Sequence, residues 1–313
     1  MVEGHSVHRV AHAHRRRLCG KRFVATSPNG RFAAGAAAIS GAVFFSIEAI
    51  GKNLFAWFKP ADGSDVCVHV HFGMSGAWAT FDSAREEVPE PTATTRLRLE
   101  EVVAGGGRGL VTHLSAMTVQ HGIGSDLFES KRRALGEDPL RPDAQPLRLW
   151  EKVAKSRKGI GALLMDQSFF AGPGNIYRAE ILFKAGVHPS IPGQDLTRNQ
   201  FDAVWAHTVA LLRRGYETGS ILTVDPLEAE RWAQPSSRRR YIYNQQNCPR
   251  CGDTIVSWAI NNRTCYACAT CQPLPPARDE PSAAVGSAGP STLLQLQKKT
   301  NGATSAKKRA EKP

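Results

Sequence analysis

Apolar positions in the first eighteen residues follow a helical rhythm. Val7, Val10, Ala11, His14 and Leu18 recur at that spacing and Gly20 follows as a stop signal, which predicts a helix over residues 3–18. From about residue 22 to 124 the rhythm shortens into β-type runs. Ala42–Ile47, Asn53–Phe58 and Val66–Phe72 are examples, separated by Gly, Asp, Asn and Pro. The glycine-rich stretch 103–110 (VAGGGRGL) reads as a flexible hairpin tip. This half is expected to form a β-sandwich or barrel led by one helix. After Leu135–Leu140 (LGEDPL) the pattern turns helical. Thr197–Gln200 fits a capping box, and Phe201, Val204, Trp205, Thr208, Leu211 and Leu212 then form an apolar stripe suited to helix packing. A basic run, Arg238–Arg240, leads through Tyr241–Tyr243 into a cluster of cysteines. Beyond Pro273 come Pro, Ala, Ser and Gly with scattered lysines, a composition that cannot bury a core and predicts a disordered basic tail. No internal repeat is visible, and the fold class is α+β.

Composition adds a partner to this outline. With 42% hydrophobic residues in a chain of 313, a real core forms and wholesale disorder is excluded. The formal net charge of +12 favours a polyanion, either nucleic acid or an anionic membrane surface. No uninterrupted apolar run approaches the roughly 18 residues a spanning helix needs. His and Arg fill residues 5–17 where a signal peptide would carry its apolar core. The expectation is a soluble, intracellular protein with no membrane partner.

Seven cysteines are present, and five of them, Cys248, Cys251, Cys265, Cys268 and Cys271, fall within 24 residues. In an intracellular chain such clustering points to a metal more than to disulfides. Cys248 and Cys251 form a knuckle, with Gly252 allowing the backbone to fold under an ion. Zinc takes four thiolates in a tetrahedron, usually as two pairs on facing hairpins. The second pair can be Cys265 and Cys268 or Cys268 and Cys271. Thr264–Tyr266 reads as the strand entering the second knuckle, which favours Cys268 and Cys271 and one structural zinc ion.

Three further segments complete a pattern. They are Val2–His5 (VEGH) immediately before the first helix, Gly51–Phe55 (GKNLF) between two β-type runs, and Leu163–Gln167 (LLMDQ) with Ala171–Glu180 (AGPGNIYRAE). Together with the Cys-x2-Cys-x16-Cys-x2-Cys ribbon ending in Gln272, and in this order over residues 1–273, they resemble the formamidopyrimidine-DNA glycosylase/endonuclease VIII family. The likeness is strongest to its endonuclease VIII side. The resemblance implies an N-terminal catalytic β-sandwich domain (1–125), a helix–two-turns–helix DNA-binding domain (126–240), a zinc ribbon (241–273) and the tail (274–313). DNA would lie in the cleft between the halves.

It also implies roles. Removal of Met1 would free the α-amine of Val2 to attack deoxyribose C1′, release a damaged base and leave an imine, from which β-elimination cuts the strand. Most of the family carries proline at this position; valine supplies a primary amine instead. Glu3 would protonate the ring oxygen, and its place in the first turn of a helix favours a negative charge. Lys52 resembles the lysine that projects from a hairpin to a phosphate beside the lesion. Gly174 and Asn175 resemble the turn and the asparagine that hold phosphate at a helix N-terminus, and Arg263 resembles the ribbon arginine. Met74, in His71–Gly76 (HFGMSG), takes the place of the loop that fills the gap left by an everted base. The Arg and aromatic partners found in a downstream loop of one branch have no counterpart around Thr112–Gln120.

The function expected is base-excision repair: a DNA glycosylase with AP lyase activity that removes oxidised bases, pyrimidines foremost, from duplex or single-stranded DNA as a monomer. The alternative is a catalytically silent relative that only binds damaged or single-stranded DNA. The tail pairs Lys298–Lys299 and Lys307–Arg309 resemble a two-part nuclear import signal in a eukaryote; in a bacterium the protein would sit in the cytoplasm or nucleoid. Otherwise they form a solvated tail that adds non-specific DNA affinity.

Overall fold

A computed structural model describes residues 2–231 and 239–275. Arg238 and nearly all of the expected tail therefore lie outside the described residues. The first helix, α1 (Gly4–Leu18), buries Val7, Ala11, His14 and Leu18 on one face, and the chain leaves it through Gly20 at φ 85°. Eight strands follow: β1 (Lys21–Thr26), β2 (Ala42–Ile50), β3 (Asn53–Lys59), β4 (Val66–His71), β5 (Ala77–Asp82), β6 (Thr95–Glu101), β7 (Leu110–Ser115) and β8 (Thr118–Ile123).

They form one antiparallel sheet in the order β5-β7-β6-β1-β2-β3-β4-β8, so β7 and β8 stand six places apart. At about 4.8 Å per strand a flat sheet would separate them by roughly 29 Å. Only Ala116 and Met117 connect them, a link of at most about 11 Å. The sheet must therefore fold over on itself, and the result is the expected sandwich. Phe23, Phe44, Ile47, Leu54, Phe58, Val68, Leu97 and Leu114 fill it together with Val7 and Leu18 of α1.

The strand reading misses one helix, α2 (Ala33–Ile39), which buries Ala36 and Ile39 beside β1. Its alanines carry helix propensity without any apolar periodicity to announce it. A further helix, α3 (Asp126–Arg133), lays Phe128 against Phe55 and Trp57 with ring centroids 5.0 and 5.1 Å away. That cover explains why β4 is buried on both faces through Val66–Val70.

The helical half comprises α4 (Pro146–Val153), α5 (Ile160–Leu163), α6 (Asn175–Ala185), α7 (Arg198–Thr218) and α8 (Pro226–Arg231). The capping box at Thr197 forms in both directions, with Gln200 N donating to Thr197 Oγ1 at 3.2 Å and Thr197 N to Gln200 Oε1 at 2.9 Å. The stripe on α7 is buried except Trp205, which is partly buried against Phe170. The last hairpin pairs β9 (Val256–Ile260) with β10 (Arg263–Ala267). Asn261 and Asn262, at φ 50° and 60°, make its two-residue turn, the geometry that matches the strands' twist. Among the described residues no helix is long and apolar enough to cross a membrane.

Candidate active site and metal centre

Glycines bring three distant segments to one point. Gly4 N donates to Gly172 O at 3.0 Å, and a methyl group on Gly4 would fall 2.7 Å from Gly172 Cα. Gly51, at φ 57°, lies so close to Ala171 that a side chain there would meet its carbonyl carbon at 2.8 Å. The start of α1, the β2–β3 turn and the loop before α6 thus touch backbone to backbone. Gln167 holds that loop: its Oε1 accepts from Gly172 N at 2.9 Å and its Nε2 donates to Pro173 O at 3.0 Å.

This junction places Glu3 beside Lys52. The Glu3 side chain has no solvent exposure, and Lys52 Nζ stands 3.3 Å from Oε2. Any side chain on Gly174 would collide with both Glu3 oxygens and with Lys52 Nζ, so the glycine leaves the space these two groups occupy. Burial pushes the Glu3 pKa up, opposed by the Lys52 ammonium and the Ile176 N–H. Ile176 is in the first turn of α6, so the helix whose positive end faces the carboxylate is α6 as well as Glu3's own α1. Net, Glu3 keeps its proton to higher pH than an exposed glutamate, the requirement for a general acid near neutrality. Val2, next in the chain, is half-buried against the sandwich core. His5 donates or accepts across 3.0 Å to the Tyr177 hydroxyl, and burial lowers the His5 pKa to about 4 while raising that of Tyr177. His71 is also lowered, by burial and by the charge of Lys52.

Asn175 opens α6. Its Nδ2 donates to Thr264 O at 3.0 Å, so one of its amide hydrogens is spent on the ribbon hairpin. Arg178, fully buried, donates to the carbonyls of Thr264 (2.9 Å) and Arg263 (3.4 Å) and to the Asn175 side chain. These bonds bring the Arg263 end of β10 to the first turn of α6, with the Arg263 side chain exposed. Met74 is 59% exposed. In the β7–β8 link, where no counterpart is expected, Met117 is 62% exposed and packs its Cβ and sulfur against Gly73.

Cys248, Cys251, Cys268 and Cys271 gather with all four sulfurs within 4.8 Å of one another. Cys248 and Cys271 are 3.7 Å apart, and Cys251 and Cys268 3.4 Å. Zinc–thiolate bonds near 2.3 Å in a tetrahedron require sulfurs about 3.8 Å apart. The donor set therefore fits one tetrahedral metal ion. Cys265 is outside the group, buried in β10 opposite Trp258. Gly252, at φ 83°, turns the first knuckle. Gln272 accepts from Cys268 N at 3.1 Å and donates to Val187 O at 2.9 Å, fastening the second knuckle just beyond α6.

Several residues of this assembly escape a sequence reading. Arg178 and Glu180 lie in a recognised motif but receive no role from it. A signal was present, since a charge embedded among Ile176, Tyr177, Ile181 and Leu182 must find buried partners. The Glu180 carboxylate accepts from Tyr241 N (2.7 Å), Ile242 N (3.0 Å) and Tyr243 N (2.8 Å) and fixes the chain entering the ribbon. Asp138 falls in a stretch read only as a boundary, and His8 carries no signal at all.

Comparison with known proteins agrees with this architecture. Residues 1–111 match the formamidopyrimidine-DNA glycosylase N-terminal domain, and residues 135–225 match the H2TH domain of formamidopyrimidine-DNA glycosylase. The chain is 36% identical over 277 residues to endonuclease 8 1 of Mycobacterium tuberculosis, covering 87% of this chain and 100% of that one. It is 29% identical over 259 residues to formamidopyrimidine-DNA glycosylase of Nocardioides sp., covering 80% and 84%. Among solved structures, Lactococcus lactis Fpg in complex with abasic-site DNA superposes with a TM-score of 0.69 at 19% identity, covering 87% of this chain and 100% of that one.

Proposed function

This chain belongs to the formamidopyrimidine-DNA glycosylase/endonuclease VIII family, and from that premise we infer that it is a base-excision-repair DNA glycosylase with associated AP lyase activity. The observation that carries the reading is the buried Glu3 carboxylate, 3.3 Å from Lys52 and one residue from Val2. With Met1 removed, the Val2 α-amine has a reference pKa near 8, so roughly a tenth is neutral and nucleophilic at pH 7. It attacks deoxyribose C1′ and the C1′–N glycosidic bond breaks, the base leaving with the bonding pair and taking up a proton lost by the attacking amine. Glu3 then gives its proton to the ring oxygen as the C1′–O4′ bond opens to the iminium. The resulting iminium withdraws electrons, so loss of a C2′ proton expels the 3′-phosphate.

Phosphates beside the lesion are held by Lys52, by Asn175 with the Gly174 turn, and by Arg263, while Met74 enters the vacated stack. Such contacts position DNA without reading its sequence. The ion in the Cys248, Cys251, Cys268 and Cys271 centre is zinc, which stabilises the ribbon and takes no part in the chemistry. The substrate class is damaged DNA carrying oxidised bases, pyrimidines foremost, and the protein acts as a monomer.

Borohydride reduction in the presence of abasic-site DNA tests the reaction. A covalent adduct whose peptide mass contains Val2 but not Met1 is expected. A salt-sensitive shift with no adduct would leave a damaged-DNA binding protein that has lost catalysis. An active preparation that retains Met1 would remove Val2 from the mechanism.

A further inference from the structure

Lys52 can serve Glu3 only if its turn is held still, and Gly51, the residue before it, offers no side chain to grip. Its backbone N–H is held instead. Asp138 Oδ2 accepts from Gly51 N at 2.6 Å. The same oxygen lies 2.7 Å from His8 Nε2 on α1, and Oδ1 accepts from Leu140 N at 2.9 Å. The Asp138 side chain is 2% exposed, so these three donors stand in for water. On its other side Gly51 abuts the Ala171–Gly172 backbone. The turn is clamped between the loop before α6 and one carboxylate, and that carboxylate is tied to the helix whose N-cap is Glu3.

Resting on the Glu3–Lys52 reading above, we propose that Asp138, oriented by His8, is a positioning residue that holds the Gly51–Lys52 turn so that the Lys52 ammonium stays against Glu3. Asp138 touches neither Glu3 nor DNA in this assignment and acts through Lys52 alone. If the turn relaxes, Lys52 withdraws and Glu3 loses the charge that opposes its burial. The other groups around this pair are the chain's α-amine, Tyr177 from α6, His5 from α1, His71 from β4 and the Ile176 N–H. His5 and His71 are both held below the ordinary histidine pKa and Tyr177 above the ordinary tyrosine value. Above pH 7 the α-amine, with a reference pKa of about 8, is therefore the one of these groups that changes charge before Tyr177, and it does so alike in wild type and variants. Weakening the Lys52 contact therefore moves proton loss from Glu3, and with it the fall of base excision, to higher pH.

The test is single-turnover excision of one oxidised pyrimidine by full-length, zinc-loaded protein between pH 5 and 9. Asp138→Asn, which cannot satisfy all three donors, is expected to fold with its metal in place and to melt a few degrees below wild type. Its excision rate should fall about tenfold or more at the optimum, and its basic limb should shift upward. In a Lys52→Ala background the same substitution should add nothing. His8→Gln, which keeps an N–H donor, should recover most of what His8→Leu loses. Wild-type rate and pH profile in folded Asp138→Asn, beside crippled Glu3→Gln and Lys52→Ala, would overturn this proposal alone. An equal loss in the Lys52→Ala background would do the same. Normal excision by Glu3→Gln and Lys52→Ala would overturn the acid reading and this proposal with it. Should Asp138→Asn fail to fold, His8→Leu decides, because it leaves the carboxylate in place: a shifted limb supports the role of the pair and an unshifted one ends it.

Discussion

At the scale of single residues, two positions are defined by what surrounds them. Glu3 is a carboxylate with no access to water, so its charged form is costly and its pKa is raised. A raised pKa means that folding favours the protonated form: the stability this contributes is present at low pH and is lost as pH rises through the folded-state value. Glu3→Gln mimics the protonated form at every pH. It should therefore melt above wild type at pH 8 and approach wild type near pH 5, as thermal denaturation at the two pH values will show. The same variant should still form the borohydride-trapped adduct with a pre-made abasic site but excise bases poorly; undiminished excision would move the acid role elsewhere. Gly174 is the second case. Its backbone, at φ −128°, is open to any residue, so the demand for glycine is steric. Gly174→Ala pushes a methyl into Glu3 and Lys52, and a displacement on the order of 1 Å at a reacting group costs about a hundredfold in rate. Excision by Gly174→Ala within a factor of three of wild type would mean that the two groups have room the geometry does not give them.

Among the elements, α6 does most of the joining. It is buried from Asn175 to Phe183, so its polar residues cannot face water and instead tie neighbours together: Asn175 and Arg178 the ribbon tip, Tyr177 the His5 ring, Glu180 the approach to the ribbon. With the zinc proposed above in place, the ribbon would depend on it, because a two-stranded hairpin of this size has too little core to stand alone. Ser replacement of Cys248, Cys251, Cys268 or Cys271 should release the ion and weaken DNA binding together, whereas Cys265→Ser should keep one zinc per chain by elemental analysis. Loss of metal from Cys265→Ser with retention in Cys271→Ser would reverse the ligand set. The sequence made this centre legible because knuckle spacing is local, and only the choice between Cys265 and Cys271 needed coordinates. The strands were legible for the same reason, their alternation being written in consecutive residues. What stayed hidden joins positions far apart, such as His8 with Asp138 or Arg178 with Thr264, where no spacing rule connects the partners. The helix α2 was missed for want of any apolar period.

For the whole molecule, the question is how much of a duplex the protein can support once a base has left it. Lys52, Asn175 and Arg263 are assigned to phosphate, so binding to either form of DNA should fall steeply as salt rises. Strand preference then rests on what fills the gap. The sequence offers Met74 alone, but folding the sheet over places the β7–β8 link beside the β4–β5 loop, and a second exposed methionine, Met117, comes up against Gly73. Methionine fills irregular space well through its flexible, polarisable chain, yet it offers the widowed opposite base only a weak sulfur acceptor and no hydrogen-bond donor. A single strand needs no such support, because its base is already unstacked. Excision of one oxidised pyrimidine from single-stranded oligonucleotides should therefore be at least as fast as from matched duplex at equal ionic strength. Replacing Met74 and Met117 together by alanine should slow the duplex reaction while leaving the single-strand rate nearly unchanged. A tenfold preference for duplex corresponds to about 1.4 kcal/mol of additional transition-state stabilisation. If that preference appeared and survived the double replacement, the support would have to come from a part of the surface other than these two loops, and the methionines would be bystanders.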